Sequence, residues 1–477
     1  MSIKRYVADK DNVITNAFQS NLTTRGTGSN MGLADSLETF SIYAQANSSS
    51  NEQARTLVQF PISSISTDRA SGKLPASGNV NFVLRMFNVK HTDTVPRDFT
   101  LTISPVSQSW EEGYGLDMDN YTDLTYNGTG SNWINAGAGT AWTTPGGDYL
   151  TTPSLVYTAS FDTGIEDLEV DITNLVEQWI TGTAGGGIEN YGVGIQLTSS
   201  QASGSRSYYT KKFSARSSEY FFKRPIIEAR WDDTRRDNRG NFFISSSNLN
   251  AADNLNTLYI YNFYRGQLTD LAGVGTGSIY VSLHTSASGG TQLTATPNNP
   301  VTGGWVDTGI YSASFALNTS ASTVYDRWFS GSTYYHTGSF TPTSFDSSNI
   351  NSIERYVTTI TNLENEYYNN DITRLRLFTR LKDWSPTIYT VASKEIENSF
   401  IEDAYYKVVR EVDSYDVIEY GTGSLNHTRL SYDVTGSYFD LDMSLLEPGY
   451  SYAIKFVYYI NGAYEEQRES FRFRVKE

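Results

Sequence analysis

Cysteine is absent from the 477 residues, histidine occurs four times, proline twelve times, and only 18% of positions are charged. Without cysteine the chain has no disulfide framework, no thiolate nucleophile and no cysteine-ligated zinc. The histidines, His91, His284, His336 and His427, lie far apart, and none falls in the HxH or HExxH spacing that puts two imidazoles on one metal. No apolar run approaches the length of a membrane span. The opening residues, MSIKRYVADKDNVITNAF, lack the apolar core of a secretory signal. Cationic charge is short as well: 36 Lys and Arg stand against 52 Asp and Glu, a formal net charge of −16. That balance disfavours binding to a phosphate backbone or to anionic lipid, so neither nucleic acid nor membrane is an expected partner. GxSxG, P-loop and Rossmann fingerprints are missing in context. The expectation is a protein that is not an enzyme, with no cofactor, no metal and no catalytic residue.

What the chain has in abundance is tyrosine (34), phenylalanine (23) and glycine (38), with serine, threonine and asparagine crowding the loops. Aromatic and β-branched side chains suit a pleated, half-buried surface, and Gly, Asn and Ser supply turns. Period-2 alternation runs through Asn79–Val89, Thr100–Val106, Ser278–Thr285, Thr373–Leu381 and Ser451–Ile460. Helical spacing is scarce. Its best instance is Val170–Ile180, with Ile172, Leu175, Val176 and Trp179 on one face and Asp171 or Thr173 as the cap. The length suggests about three domains of roughly 100–200 residues. The charged run Asp232–Gly240 and the polar run Thr341–Asn351 read as linkers, giving domains 1–235, 236–345 and 346–477. GTGS recurs at Gly26, Gly128, Gly275 and Gly421 at spacings too irregular for a solenoid, as a favoured turn.

In the first half, four segments fall in order: RTLVQFPIS (Arg55–Ser63); WEEGYG (Trp110–Gly115), with Trp133 and Trp142 beyond it; VDITNLVEQWITG (Val170–Gly182) leading to NYGVGIQL; and FSARSSEYFFKRPIIEARW (Phe213–Trp231). Together they resemble the DNRLRE-type β-sandwich, a module similar to jelly-roll carbohydrate-binding modules. The Gly- and Asn-rich stretch between Trp110 and Trp142 is longer than the usual compact form. The resemblance implies aromatic platforms for sugar, and Trp133, Trp142 and Tyr149 are the candidate glycan contacts, against the plainer reading of loop and core anchors. Trp110 and Trp179 would fill the space between two sheets, each needing an acceptor for its indole N–H. The cluster Asp117, Asp119, Asn120 and Asp123 offers oxygen ligands for Ca²⁺ but lacks the spacing of a known loop, and reads as a solvated acidic turn.

In the last domain, Leu446-x-Pro448-Gly449-x-x-Tyr452 resembles the tyrosine corner of fibronectin type III and immunoglobulin-like domains, where the phenol bonds to backbone upstream. Asn461-Gly462 is a two-residue hairpin turn. The fold expected is therefore all-β, with a jelly-roll-like sandwich followed by two immunoglobulin-like ones. A cytoplasmically made chain with an adhesin-like composition fits a structural component of a tailed-bacteriophage virion, in the neck, collar, tail or head decoration, released by lysis. Its partners would be other virion proteins and copies of itself in a symmetric assembly. The alternative is a carbohydrate-binding surface or receptor-recognition protein, with a polysaccharide as ligand.

Overall fold

In the computed structural model the described residues are 2–90, 96–116, 130–205, 208–319, 321–344, 355–384, 387–388 and 398–477. Internal packing divides the chain between Asp232 and Asp233. The first unit contains β1 (Ile3–Val7), β2 (Lys10–Thr15), β3 (Ser36–Tyr43), β4 (Asn51–Gln59), β5 (Asn81–Met86), β6 (Phe99–Pro105), β7 (Asn135–Gly137), β8 (Thr140–Ala141), β9 (Tyr157–Phe161), β10 (Leu168–Asp171), β11 (Val193–Leu197), β12 (Tyr208–Ser214) and β13 (Ile226–Arg230). Two antiparallel sheets, β1-β13-β5-β10 and β12-β3-β4-β11-β6-β9, face each other; β2 joins the larger one along β4. Alternation decides which side chains enter the space between them: Phe99, Leu101 and Ile103 of β6 meet Phe82 and Leu84 of β5.

Two helices close the sandwich. The segment with helical spacing forms α2 (Thr173–Thr181), buries Leu175, Val176 and Trp179, and starts where Asp171 accepts the Thr173 N–H at 2.9 Å. The other, α1 (Ile62–Ala70), follows the Phe60-Pro61 step and buries only Ile65 and Asp68, so it carries no amphipathic pattern to read. Arg69 and Glu177 form a two-pronged ion pair between the helices, at 2.5 and 2.7 Å. On the outer side of the smaller sheet, Glu228 is 2% exposed and sits among Arg5 (2.6 Å), Arg230 (2.7 Å) and Arg85 (3.6 Å).

In the second unit the first set of strands is β14 (Asn256–Tyr261), β15 (Phe263–Tyr264), β16 (Gln267–Leu268), β17 (Ser278–His284), β18 (Gln292–Leu293), β19 (Ala295–Thr296), β20 (Val301–Asp307), β21 (Ile310–Leu317), β22 (Val324–Ser330) and β23 (Thr333–Phe340). Apart from the small β15–β16 ribbon they form one hydrogen-bonded sheet, β14-β21-β20-β17-β22-β23, with β18 on β17 and β19 on β21. Its inward residues, among them Leu258, Ile279, Tyr311, Phe315 and Trp328, make one core.

The second set is β24 (Tyr356–Ile360), β25 (Glu366–Tyr368), β26 (Ile372–Leu381), β27 (Ala404–Arg410), β28 (Tyr415–Ile418), β29 (Ser431–Asp433), β30 (Gly436–Asp442), β31 (Ser451–Ile460), β32 (Ala463–Glu466) and β33 (Phe471–Lys476). Here two sheets, β24-β26-β30-β29 and β25-β33-β31-β27-β28, stack about Tyr406 and Phe439, whose ring centroids are 4.2 Å apart. Tyr452 is fully buried, and its hydroxyl donates to the Glu447 carbonyl at 2.7 Å, as a corner tyrosine must. Asn461 and Gly462 both take positive φ, 53° and 80°, the conformation a type I′ hairpin requires. The chain is thus predominantly β, built of antiparallel sheets that pack around successive cores.

The charged run Asp232–Gly240, read from sequence as a linker, is ordered by specific contacts within the second unit. Arg235 and Asp237 exchange backbone hydrogen bonds with Tyr432 of β29, both 3.0 Å, and Asn238 does so with Thr257 of β14. Arg235 pairs with Asp307, and Arg239 grips buried Asp326 through both oxygens at 2.7 and 2.8 Å. The partners of these arginines lie tens of residues away, so the contacts that order this run could not be read from its composition.

Candidate functional site

The larger sheet of the first unit shows one face to the core and the other to a groove. Thr39 of β3 and Thr56 of β4 are buried, while Phe40 of β3 and Gln53, Ala54 and Arg55 of β4 line the groove. Ser104 of β6 and Gln196 of β11 extend that face sideways. The loop Thr143–Thr151 roofs one side and Ser199–Ala202 bounds the other, enclosing a groove of about 700 Å³.

Local forces fix the roof. Asp148 accepts backbone N–H groups of Thr143 (2.7 Å) and Thr144 (2.9 Å), and the Tyr149 hydroxyl donates to the Gly146 carbonyl at 2.9 Å. The Tyr149 ring lies directly on Gly194: a Cβ there would come within 2.0 Å of the ring, so only glycine fits the second Gly of NYGVGIQL. Arg55 donates to the same Gly146 carbonyl at 2.8 Å and sits 5.0 Å from the Trp133 ring and 5.8 Å from the Tyr149 ring. Burial raises the Tyr149 phenol above its ordinary value, with Arg55 opposing, so the hydroxyl stays protonated.

Tyr149 alone of the three candidate glycan contacts lines the groove. Trp133 and Trp142 are 7% and 5% exposed and belong to a second small core with Ile14, Leu57, Val106, Trp110 and Ala136. The Trp142 indole donates to the Asn132 carbonyl and that of Trp110 to the Tyr191 carbonyl, both at 2.8 Å. These tryptophans anchor the long Gly-rich insertion on the outside of the larger sheet, which leaves Trp133 and Trp142 no free face on which a sugar could stack. Trp110 is therefore not between the sheets; Trp179 is, and its indole nitrogen has no hydrogen-bond partner among the described residues.

The groove offers carboxamides, hydroxyls and one guanidinium. Asp148 is the acidic residue in its lining, and both its oxygens already accept from backbone. Such a surface suits a neutral, hydroxyl-rich ligand, held by amide and hydroxyl hydrogen bonds against Phe40 and Tyr149. None of these residues stood out in sequence except Tyr149, because the others reach the groove from alternate positions of separate strands.

The acidic cluster Asp117, Asp119, Asn120 and Asp123 and His91 lie outside the described residues. The remaining histidines are dispersed: His284 in β17 beside Ser282 (3.0 Å), His336 in β23, and buried His427 against Gly421. Among the described residues no three His, Asp or Glu side chains gather as a metal site, and no helix is long and apolar enough to cross a membrane.

No family model matches the chain, and no curated protein resembles it in sequence. Solved structures with some likeness include the Ig1-2 module of the Drosophila receptor protein tyrosine phosphatase DLAR, at 8% identity and a TM-score of 0.15, covering 47% of this chain and 91% of that one. A marsupial T cell receptor matches at 8% identity and TM-score 0.16, over 46% of this chain and 68% of the other. The Yersinia pseudotuberculosis adhesin InvE matches at 10% identity and TM-score 0.15, over 50% of this chain and 56% of the other. At such values the likeness carries no argument.

Proposed function

We propose that the chain is a structural component of a tailed-bacteriophage virion, built of a DNRLRE-type sandwich followed by immunoglobulin-like ones, and that it acts by binding copies of itself and neighbouring virion proteins. One observation carries this reading: the unprotected edge and aromatic outer face at β23. That strand is the last of its sheet, eight residues long, and TYYHTGSF contains no Lys, Pro or acidic residue to discourage a further strand from pairing. Beside it, Tyr280, Phe329 and Tyr334 of three adjacent strands form a row of tilted rings with centroid separations of 5.9 and 5.4 Å, and Arg327 lies 4.1 Å over Tyr334. Tyr280 and Tyr334 are 37% and 51% exposed. Aromatic and arginine side chains of this kind dominate the centres of protein interfaces. The net charge of −16 keeps free copies apart until a specific contact forms. The test is incorporation: Tyr334→Lys together with Tyr280→Glu should leave the circular dichroism of the free chain unchanged while the protein is lost from particles purified from a lysate. Undiminished incorporation would remove this face from the assembly.

A second reading, carbohydrate recognition by the first sandwich, is favoured by the polar groove over β3, β4, β6 and β11. A glycan panel tests it: binding that falls with Gln53→Ala or Gln196→Ala, and not with Tyr334→Lys, would promote it.

A further inference from the structure

A lysine with no exposed surface closes one end of the first sandwich. Lys211 lies in β12, and alternation turns its side chain inward on the same side as Phe213. Its Nζ donates to Asn88 Oδ1 at 2.8 Å and to the carbonyls of Gly164 (2.9 Å) and Glu166 (2.6 Å), with the rings of Phe161 and Phe213 at 4.7 and 5.3 Å. Asn88 is equally fixed. It bridges to Phe213, its N–H donates to Asp167 Oδ1 at 2.7 Å, and the flanking Phe87 and Val89 pair with Ser214 and Lys212 of β12. Glu166 Oε1 accepts the Thr163 N–H at 2.6 Å, and its Oε2 has no hydrogen-bond partner among the described residues. A buried amine and a half-buried carboxamide therefore meet beside two aromatic rings, with the Glu166 and Asp167 carboxylates at the more exposed margin.

We propose that Lys211 and Asn88 become joined by an intramolecular amide bond that the folded chain makes unaided. The ammonium gives one proton to a carboxylate of the Glu166–Asp167 pair, and the freed Nζ lone pair forms a bond to Asn88 Cγ. Collapse of that adduct breaks the Cγ–Nδ2 bond; the departing nitrogen takes up one proton from Nζ and the one held by the carboxylate. The products are a secondary amide and one ammonium ion, with no oxidant, reductant or co-reactant required. Preorganisation supplies the drive, since two groups already held in contact behave as though present at very high concentration. Burial also lowers the Lys211 amine to about 8, against the pull of Glu166 and Asp167. Near neutral pH about a tenth of it is then free amine, far more than for an exposed lysine.

The bond would link positions 123 residues apart, tying the outer strand of the larger sheet to the chain leaving the smaller one. A sandwich so closed cannot shed β12 under load. The inference stands apart from the assembly and glycan readings and needs neither.

Intact-mass spectrometry of the denatured full chain decides it. The expected mass is below that of the sequence by one ammonia, and a digest should contain a branched peptide carrying both Lys211 and Asn88. Lys211→Arg and Asn88→Ala chains should have the masses of their sequences. Glu166→Gln or Asp167→Asn should slow the loss, identifying the carboxylate that carries the proton. A wild-type chain still at its sequence mass, with linear peptides at both positions after long incubation of the folded protein at mildly alkaline pH, would overturn the proposal. So would an ammonia loss that persisted in Lys211→Arg.

Discussion

Replacing Glu228 by glutamine keeps the shape of the side chain and removes the charge on which three arginines converge. The wild-type carboxylate is 2% exposed and accepts from Arg5 at 2.6 Å and Arg230 at 2.7 Å, with Arg85 at 3.6 Å. Arg85 and Arg230 retain Glu169, at 3.6 and 2.7 Å, so the change weakens the network without emptying it. Removing one partner from a buried ion pair costs about 3–5 kcal/mol, and the two arginines that keep Glu169 place this case near the lower end, about 3 kcal/mol. In a unit of this size that lowers the calorimetric transition by roughly 6–12 °C. The pH dependence has a definite sign. Burial works against the charged form, but Arg5, Arg230 and Arg85 outweigh it and hold the carboxyl well below the ordinary glutamate value of 4.5. The stabilisation is therefore fully present above that value and is lost as pH falls toward the depressed folded value. The gap between wild type and Glu228→Gln should be constant above about pH 5 and narrow in more acid solution. Calorimetry across that range, with hydrogen exchange in β1, β5 and β13 to locate the loss, reads it. A variant transition that coincides with wild type at neutral pH, or a gap that widens in acid, would refute the reasoning.

Tyr452→Phe should destabilise the last sandwich by about 1 kcal/mol, and by up to about 3 kcal/mol if the Glu447 carbonyl finds no other donor; chemical denaturation of the full chain, followed by exchange in β31, measures it. Trp142→Ala should cost about 3–5 kcal/mol through the cavity it leaves beside Ile14 and Leu57. Proteolysis within residues 106–150 should then quicken, a response that a surface platform would not give. Gly194→Ala should displace the Tyr149 ring and cost about 1–3 kcal/mol by overpacking; unchanged tyrosine fluorescence and stability together would contradict the stacking of Tyr149 on β11.

Local rules made part of this structure readable in advance. The α2 segment, the Tyr452 corner and the Asn461-Gly462 turn each depend on residues within about a dozen positions, and the backbone there follows the spacing. Features made by distant partners were not readable. Trp133 and Trp142 could be read as sugar contacts or as loop and core anchors, because nothing in their neighbourhood shows that they share a core with Ile14 and Leu57. The ion pairs of the Asp232–Gly240 arginines could not be foreseen because Asp307 and Asp326 are remote in sequence. The α1 helix lacks a periodic apolar face, and the groove combines one to three residues from each of β3, β4, β6 and β11 with no shared motif.

Cryo-electron microscopy of particles purified from a lysate tests the central claim most directly. Density for this chain should recur about a symmetry axis, with Tyr280, Phe329 and Tyr334 covered by a neighbouring subunit across an interface of at least about 1,000 Å² in total. Particles that lack the chain, together with a purified protein that stays monomeric in solution, would contradict it.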